Sequence, residues 1–379
     1  MVKISAFRAL RPIKKLAQKV PTKTYLNYSE EAILEEKKSN PYSFLNIIHQ
    51  PHIKHLDKRF KKIKEEIDNF KTKKILIQEP ESCLYVYEQS KGKEKYIGLI
   101  CTIDMQDYKN NKIKIDEKTI KKREILFTEY LQNTKIHAEP VLITYDSDVT
   151  YVHKNKLNQN HKLYNYRTQD NTQHTIWKIN NQKEINNIIT KFSHIENLYI
   201  ADGHHRMASS SRLKNNHTCL AYIVPKNILN NYPFHRALRI NKKNQNILKK
   251  IGDKKMIQKP ESNTQNIQFY LHKTWYEISI KNERDTLKNL SVNKLLKNIL
   301  TPIFSINNER ESKNIKFIPG NQEVSNILNT ISDTEVLFWM DRISIESIIQ
   351  IANQNYTTPP KSTFILPKIP SGLIMMELS

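Results

Sequence analysis

The segment Tyr199-Ile200-Ala201-Asp202-Gly203-His204-His205-Arg206 concentrates chemistry-bearing side chains behind a short apolar run. The pattern reads as a strand, a tight turn on Gly203 and the first turn of a helix. Backbone N–H groups left unpaired at a helix start form an anion site, and the macrodipole adds to it. Gly203 lets the backbone approach a ligand closely, in a chain with only six glycines. Arg206 presents a planar fork suited to phosphate. Asp202 can cap the helix or hold Mg²⁺. His204 and His205 can hydrogen-bond phosphoryl oxygens or move protons near neutral pH. A plainer reading stands beside this one: a common Asp-Gly turn, an incidental His pair and an Arg bound to a carboxylate. A zinc site is disfavoured, because adjacent histidines point to different sides of a helix.

The elements that must position this segment follow from periodicity. Leu198 to Ile200 reads as a short buried strand, and a helix is expected after Arg206 to about Lys214. Ala208 and Ser209 to Ser211 would let that helix pack tightly. Leu56, Phe60, Ile63, Ile67 and Phe70 recur on one face of a 3.6-residue period, which predicts a helix. Residues 83–88 and 96–103 flank a polar turn and predict a β-hairpin. Asn110-Asn111 predicts a turn, since Asn tolerates left-handed backbone. A helix is expected over 117–132, strands over 140–145, 174–179 and 218–224, and a helix over 184–192. Residues 152–171 read as loop or edge structure. Residues 270–280 read as strand or hairpin, with helices over 324–331 and 345–352. Interspersed strands, hairpins and helices give a mixed α and β class, unlike a simple doubly wound sheet.

Composition excludes other classes. The 379 residues carry 61 Lys+Arg against 38 Asp+Glu, a formal charge of +23, which alone would suggest a polyanion binder. Only 12 of those basic residues are Arg, and 49 are Lys, beside 50 Ile and 39 Asn. That is the signature of A/T-rich codons, whereas base and phosphate readers favour Arg. Basic residues are scattered, and neither a helix-turn-helix nor an aromatic-basic block is evident. A nucleic-acid binder is therefore the least favoured class. Apolar runs fall short of the roughly 20 residues that span a bilayer, and no secretory signal is visible. Three dispersed cysteines suit a reducing cytoplasm, the expected location, and argue against a disulfide framework.

Beyond these readings, the sequence resembles the domain-of-unknown-function 1015 family, in the version found in Bacteroidetes-type bacteria. The resemblance is carried by ordered blocks: Phe7-Arg8-Ala9-Leu10-Arg11-Pro12, Ser43-Phe44-Leu45, Lys112-Ile113-Lys114-Ile115-Asp116-Glu117-Lys118-Thr119, Glu139-Pro140-Val141, His174-Thr175-Ile176-Trp177, the segment ending in Arg206, and Pro359-Pro360-Lys361-Ser362-Thr363-Phe364 with Pro367-Lys368 and Ser371-Gly372-Leu373. The blocks span nearly the whole chain. They imply one family-wide unit, 1–379, with lobes 1–240 carrying a phosphate site and 241–379 closing over it. The implied fold is α+β, a ParB/sulfiredoxin-like core with a mixed sheet and an added C-terminal α/β region.

The Asp-Gly-His-His-Arg block is similar to that of free serine kinase. The resemblance implies phosphoryl transfer between a nucleotide, ATP or ADP, and the hydroxyl of L-serine, or the reverse from O-phosphoserine, with Mg²⁺. Alternatives are a phosphoserine phosphatase-like hydrolase and a nucleotide-binding protein without turnover. Glu117, Asp202, His204, His205 and Arg206 are then the expected catalytic set. Gly203, Arg206, His174, Thr175, Lys361, Ser362, Thr363, Lys368 and Ser371 are the expected nucleotide contacts. Asp202 and Asp116 are the expected metal ligands, with Glu117 as the base. Glu117 can equally do no more than open a helix, and His174 and Thr175 can be ordinary strand residues. The chain departs from the family pattern at Asp116, where His is usual, at Thr24-Tyr25-Leu26-Asn27 in place of Pro-Tyr-Asp, and at Glu124-Ile125-Leu126-Phe127, which lacks an acid and an Arg.

Overall fold

The period-2 segments of the first two-thirds of the chain pair into one large mixed sheet, and their apolar faces define its core. These statements rest on a computed structural model, which describes all residues except 24–27, 148–161, 215–216, 242–245, 263, 265, 284–286, 310–311, 360 and 379. Two compact units emerge. The first comprises Met1–Ile115, Thr119–Leu229 and Pro367–Ser379; the second comprises Asp116–Lys118 and Asn230–Leu366. The class is α+β, as expected.

The first unit contains β1 (Ile4–Ser5), β2 (Ala9–Pro12), α1 (Glu30–Ser39), α2 (Leu45–Ile48), α3 (Leu56–Thr72), β3 (Leu76–Gln78), β4 (Leu84–Lys91), β5 (Glu94–Asp104), α4 (Met105–Lys109), β6 (Ile113–Lys114), α5 (Lys121–Thr134), β7 (Ile136–His137), β8 (Val141–Tyr145), β9 (Lys162–Arg167), β10 (Gln173–Ile179), α6 (Gln182–Phe192), β11 (Leu198–Asp202), α7 (His204–Ser211) and β12 (Thr218–Pro225). The large sheet has the order β6-β11-β8-β12-β5-β4-β10-β9, with β1 also on β5. The pairs β11–β6 and β12–β8 are parallel and the rest antiparallel.

One face of this sheet, with Val86, Leu99, Cys101, Ile143, Trp177 and Ala221, packs on Ile185, Ile188 and Phe192 of α6 and Met207 of α7. The opposite face carries Tyr85, Tyr87 and Tyr222. Gly98 is required there: a Cβ would lie 2.3 Å from the Ile223 carbonyl oxygen and 2.8 Å from the Tyr222 ring. A second, four-stranded sheet places the C-terminal strand Met375–Glu377 between β2 and β7. The last residues of the chain thus complete the unit that holds its first.

The second unit is an antiparallel sheet of order β14-β16-β15-β18-β13-β17, built from β13 (Asn230–Arg239), β14 (Lys255–Ile257), β15 (Ile267–Leu271), β16 (Thr274–Ile278), β17 (Ile315–Pro319) and β18 (Glu335–Trp339), with β19 (Thr363–Leu366) added on β13. Phe269, Leu271, Val336 and Phe338 pack against Val292, Leu295 and Leu300 from the helical run that starts at Ser291. The expected hairpin over 270–280 is β15–β16, turning at His272 and Lys273, both with positive φ.

The helix after Arg206 starts earlier than expected, at His204, and ends at Ser211, the helix expected over 324–331 ends at Leu328, and a further start is displaced by four residues. The helix placed over 117–132 begins at Lys121, and Glu117 instead bridges Thr358 in parallel pairing. Ile120 caps the helix, with its N–H given to His205 Nε2 at 3.1 Å, and the Thr119 hydroxyl donates to Glu124. Tertiary contacts supply the start signal that local sequence did not. Among the described residues, no helix is long and apolar enough to cross a membrane.

Candidate anion-binding site

Strand β11 delivers Asp202 at its end, and Gly203 turns the chain into α7. Gly203 is the N-cap, with φ +98, a left-handed conformation that side-chain-bearing residues rarely adopt. The helix begins at His204, two residues ahead of Arg206, so the amides that follow Gly203 belong to its first turn. Small residues bring α7 close to its neighbours. Ser209 Oγ donates to the His205 carbonyl at 2.6 Å and lies 3.1 Å from the Glu124 carbonyl of α5, and Ser210 Oγ donates to the Arg206 carbonyl at 2.8 Å.

Arg206 folds back over the turn. A Cβ on Gly203 would lie 2.7 Å from Arg206 Nη2, so only glycine admits the guanidinium there. Its Nη1 bonds Glu139 Oε1, and its Nη2 lies 3.3 Å from Asp202 Oδ2. Lys368 Nζ lies 3.2 Å from the other oxygen of Asp202, and Ser371 Oγ donates to Glu139 Oε2 at 2.5 Å. The result is an alternating set of two carboxylates and two cations at a helix start. Partial burial favours the neutral form of Asp202, but Lys368 and Arg206 outweigh it and hold the carboxyl at about 2. Burial also opposes the charge of Arg206, and Glu139 and Asp202 more than reverse that. Each of the two thus favours the charged form of the other.

Of the expected site residues, the structure gathers Asp202, Gly203, Arg206, Lys368 and Ser371 here. His205 turns its Nε2 to the Ile120 amide, and His204 lies half-buried beside Asp202, whose charge it helps to stabilise. His174 and Thr175 lie in β10 away from this cluster's hydrogen bonds. His174 is 4% exposed, stacks on Tyr166 and Tyr87, bonds the Tyr87 hydroxyl at 2.8 Å, and is pushed down to about 4 by burial, which Asp170 only partly opposes. Thr175 Oγ1 donates to Asn165.

The other expected residues belong to the second unit. Glu117 Oε2 accepts the Lys361 N–H at 3.3 Å, Lys361 Nζ sits over the Phe234 ring, and Ser362 Oγ donates to the Pro359 carbonyl. Thr363 opens β19, and Asp116 is buried with its carbonyl accepting from Thr358. Residues 24–27, residue 360 and residues 152–161 lie outside the described residues.

Glu139 was legible only as part of a block, not as the residue that holds Arg206 and Ser371. Its single local sign is the Pro that follows, which breaks regular structure and leaves the carboxylate on a loop. As to a metal, no group of three or more His, Cys, Asp or Glu able to hold an ion occurs among the described residues. Both Asp202 oxygens face cations. The expected pair Asp202 and Asp116 therefore does not form a protein cage for Mg²⁺, which would need most of its oxygen ligands from elsewhere.

The family model described as "Protein of unknown function (DUF1015)" matches residues 4–299. The chain belongs to that family. The match covers Glu139, Asp202, Gly203 and Arg206 and ends before Lys368 and Ser371. No curated protein matches the sequence. Among solved structures, a free serine kinase variant in complex with ADP is similar at 12% identity, over 76% of this chain and 96% of that one, with a TM-score of 0.43. Free serine kinase in complex with AMP is similar at 15% identity, over 74% and 91%, TM-score 0.41. SbnI with a C-terminal truncation, from Staphylococcus aureus, is similar at 10% identity, over 70% and 82%, TM-score 0.43.

Proposed function

We propose that this DUF1015 protein binds a nucleotide by its phosphates at Gly203–Arg206 and moves a phosphoryl group between that nucleotide and the hydroxyl of free L-serine. The observation that carries this reading is the fixing of Arg206 over a left-handed glycine N-cap, with Lys368 across Asp202. A phosphate placed there gains the α7 amides, a fork-shaped donor already held in place, and a second cation. Phosphoryl transfer asks a protein mainly for positioning and charge neutralisation.

In the kinase direction, the bond between the terminal phosphorus of ATP and its bridging oxygen breaks. The serine oxygen bonds to phosphorus, the hydroxyl proton passes to a base, and ADP leaves. In the reverse direction O-phosphoserine supplies the phosphoryl group. Glu117 is the proposed base, on the strength of its sequence block rather than of geometry. Mg²⁺, when bound on the phosphates, would neutralise their charge. Mass spectrometry of O-phosphoserine formed from L-serine, ATP and Mg²⁺ tests the forward direction, and ATP formed from O-phosphoserine and ADP tests the reverse.

A second reading, nucleotide binding without turnover, is favoured by Glu124. In this departed block its carboxylate is taken up by Thr119 and by Arg212 at 3.3 Å, a tie between α5 and the end of α7 rather than a ligand contact. Saturable ADP binding with no product in either direction would select it.

A further inference from the structure

In the first unit, two buried side-chain atoms, His137 Nε2 and Thr22 Oγ1, make no hydrogen bond to any described residue. His137 is 3% and Thr22 5% exposed. Thr22 and Ser371 face each other in an antiparallel bridge, each N–H bonding the other's carbonyl at 3.1 and 2.9 Å. Side chains opposed in such a pair project to one side. Ser371 Oγ reaches Glu139 Oε2, so Thr22 Oγ1 lies on the Glu139 side of the C-terminal segment. His137 precedes Glu139 by two residues, and its imidazole feels the charge of Arg206.

These three groups share a chemistry. Glu139 is acceptor-only with about four lone-pair positions, of which Arg206 and Ser371 use two. A hydroxyl oxygen and a neutral imidazole nitrogen also accept. His137 is held neutral well into the acid range, at about 4, by burial and then by Arg206. Buried acceptors are normally paired, and a primary ammonium brings three N–H donors and one positive charge.

We propose that Thr22, His137 and Glu139 bind a primary ammonium group, so that the phosphoryl acceptor is a hydroxy-amino acid lying with its ammonium at these acceptors and its hydroxyl toward Arg206 and Lys368. This rests on the phosphotransfer reading for its second substrate, but the ammonium site is tested without turnover.

Calorimetric titration of the full chain with L-serine and with 3-hydroxypropanoate, which lacks the amino group, is the direct test. Each titration is run with and without saturating ADP. L-serine should bind at least about tenfold tighter than 3-hydroxypropanoate, the factor expected of a charge-assisted hydrogen-bonded group. Thr22→Val, nearly isosteric, should reduce that preference, with a thermal melt reporting that the variant is folded. Equal affinity of the wild-type protein for the two compounds, or no L-serine binding at all, overturns the proposal whatever the variants do. Selective L-serine binding without ADP binding would leave the ammonium site standing and remove the nucleotide reading; ADP binding without selectivity would do the opposite.

Discussion

The ammonium of Lys368, near the C-terminus, lies 3.2 Å from Oδ1 of Asp202, at the end of a central-sheet strand. The contact needs the C-terminal segment to return to the first unit. That return is secured by Gln89 Nε2 donating to the Lys368 carbonyl at 3.0 Å, by the Thr22–Ser371 bridge, and by the strand Met375–Glu377 between β2 and β7.

Truncation before Lys368 should therefore do more than remove one cation. It leaves β2 and β7 with unpaired edges and exposes apolar surface now covered by Met375, which is fully buried. The truncated chain should lose cooperative unfolding of the first unit in a calorimetric scan. Lys368→Met should keep it, with weaker ADP binding.

Gly203→Ala should combine two penalties. The left-handed backbone costs a Cβ-bearing residue about 1–2 kcal/mol, and the methyl group meets the Arg206 guanidinium at under 3 Å. A lowered melting temperature together with weakened ADP binding is expected. A variant that melts lower but binds ADP normally would detach Gly203 from the site.

Asp202 sets an acid-range dependence. Its folded value of about 2 lies below its ordinary 3.8, so its contribution is present above pH 3.8 and is lost as pH falls toward 2. The difference in melting temperature between wild type and Asp202→Asn should therefore narrow from pH 5 to pH 2. The side chain is 41% exposed, so solvent screening keeps the effect small.

Three buried imidazoles act over a higher range. Burial holds His137 and His174 at about 4 and His235 at about 3, against an ordinary 6.5. The unfolded chain takes up protons there first, so stability should fall as pH drops from 6.5 toward 4. His174→Phe, between Tyr166 and Tyr87, should flatten that slope in urea titrations at stepped pH.

In the second unit, Arg236 is fully buried, bonds Glu309 at 2.9 Å and lies over the Phe317 ring. Glu309→Ala strands a buried charge and should cost about 3–5 kcal/mol. Replacing both residues with apolar ones should recover much of that loss in chemical denaturation.

How much of this was legible in the sequence varied with the range of the interaction. The helix over Leu56–Thr72 and the β4–β5 hairpin follow from periodicity, because their signals are local. Strand β13 gives no such local signal: Pro233, His235 and Arg236 interrupt its apolar pattern, and only distant partners hold them, Glu309 for Arg236 and the Met340 amide for His235 Nδ1. At the site, the turn and the Arg were readable from spacing. Glu139 and Thr22 were not, since each acquires meaning only from a residue far along the chain.

The central claim is that Arg206 and the Gly203 turn bind nucleotide phosphate, and titration calorimetry of ADP against wild type and Arg206→Ala tests it most directly. Losing a charge-assisted, two-pronged donor should weaken binding by about tenfold or more, and Arg206→Lys should not restore it because a point charge lacks the fork. Saturable ADP binding by wild type with that loss is the expected result. Absence of ADP binding by wild type, or equal binding by Arg206→Ala, would contradict the account.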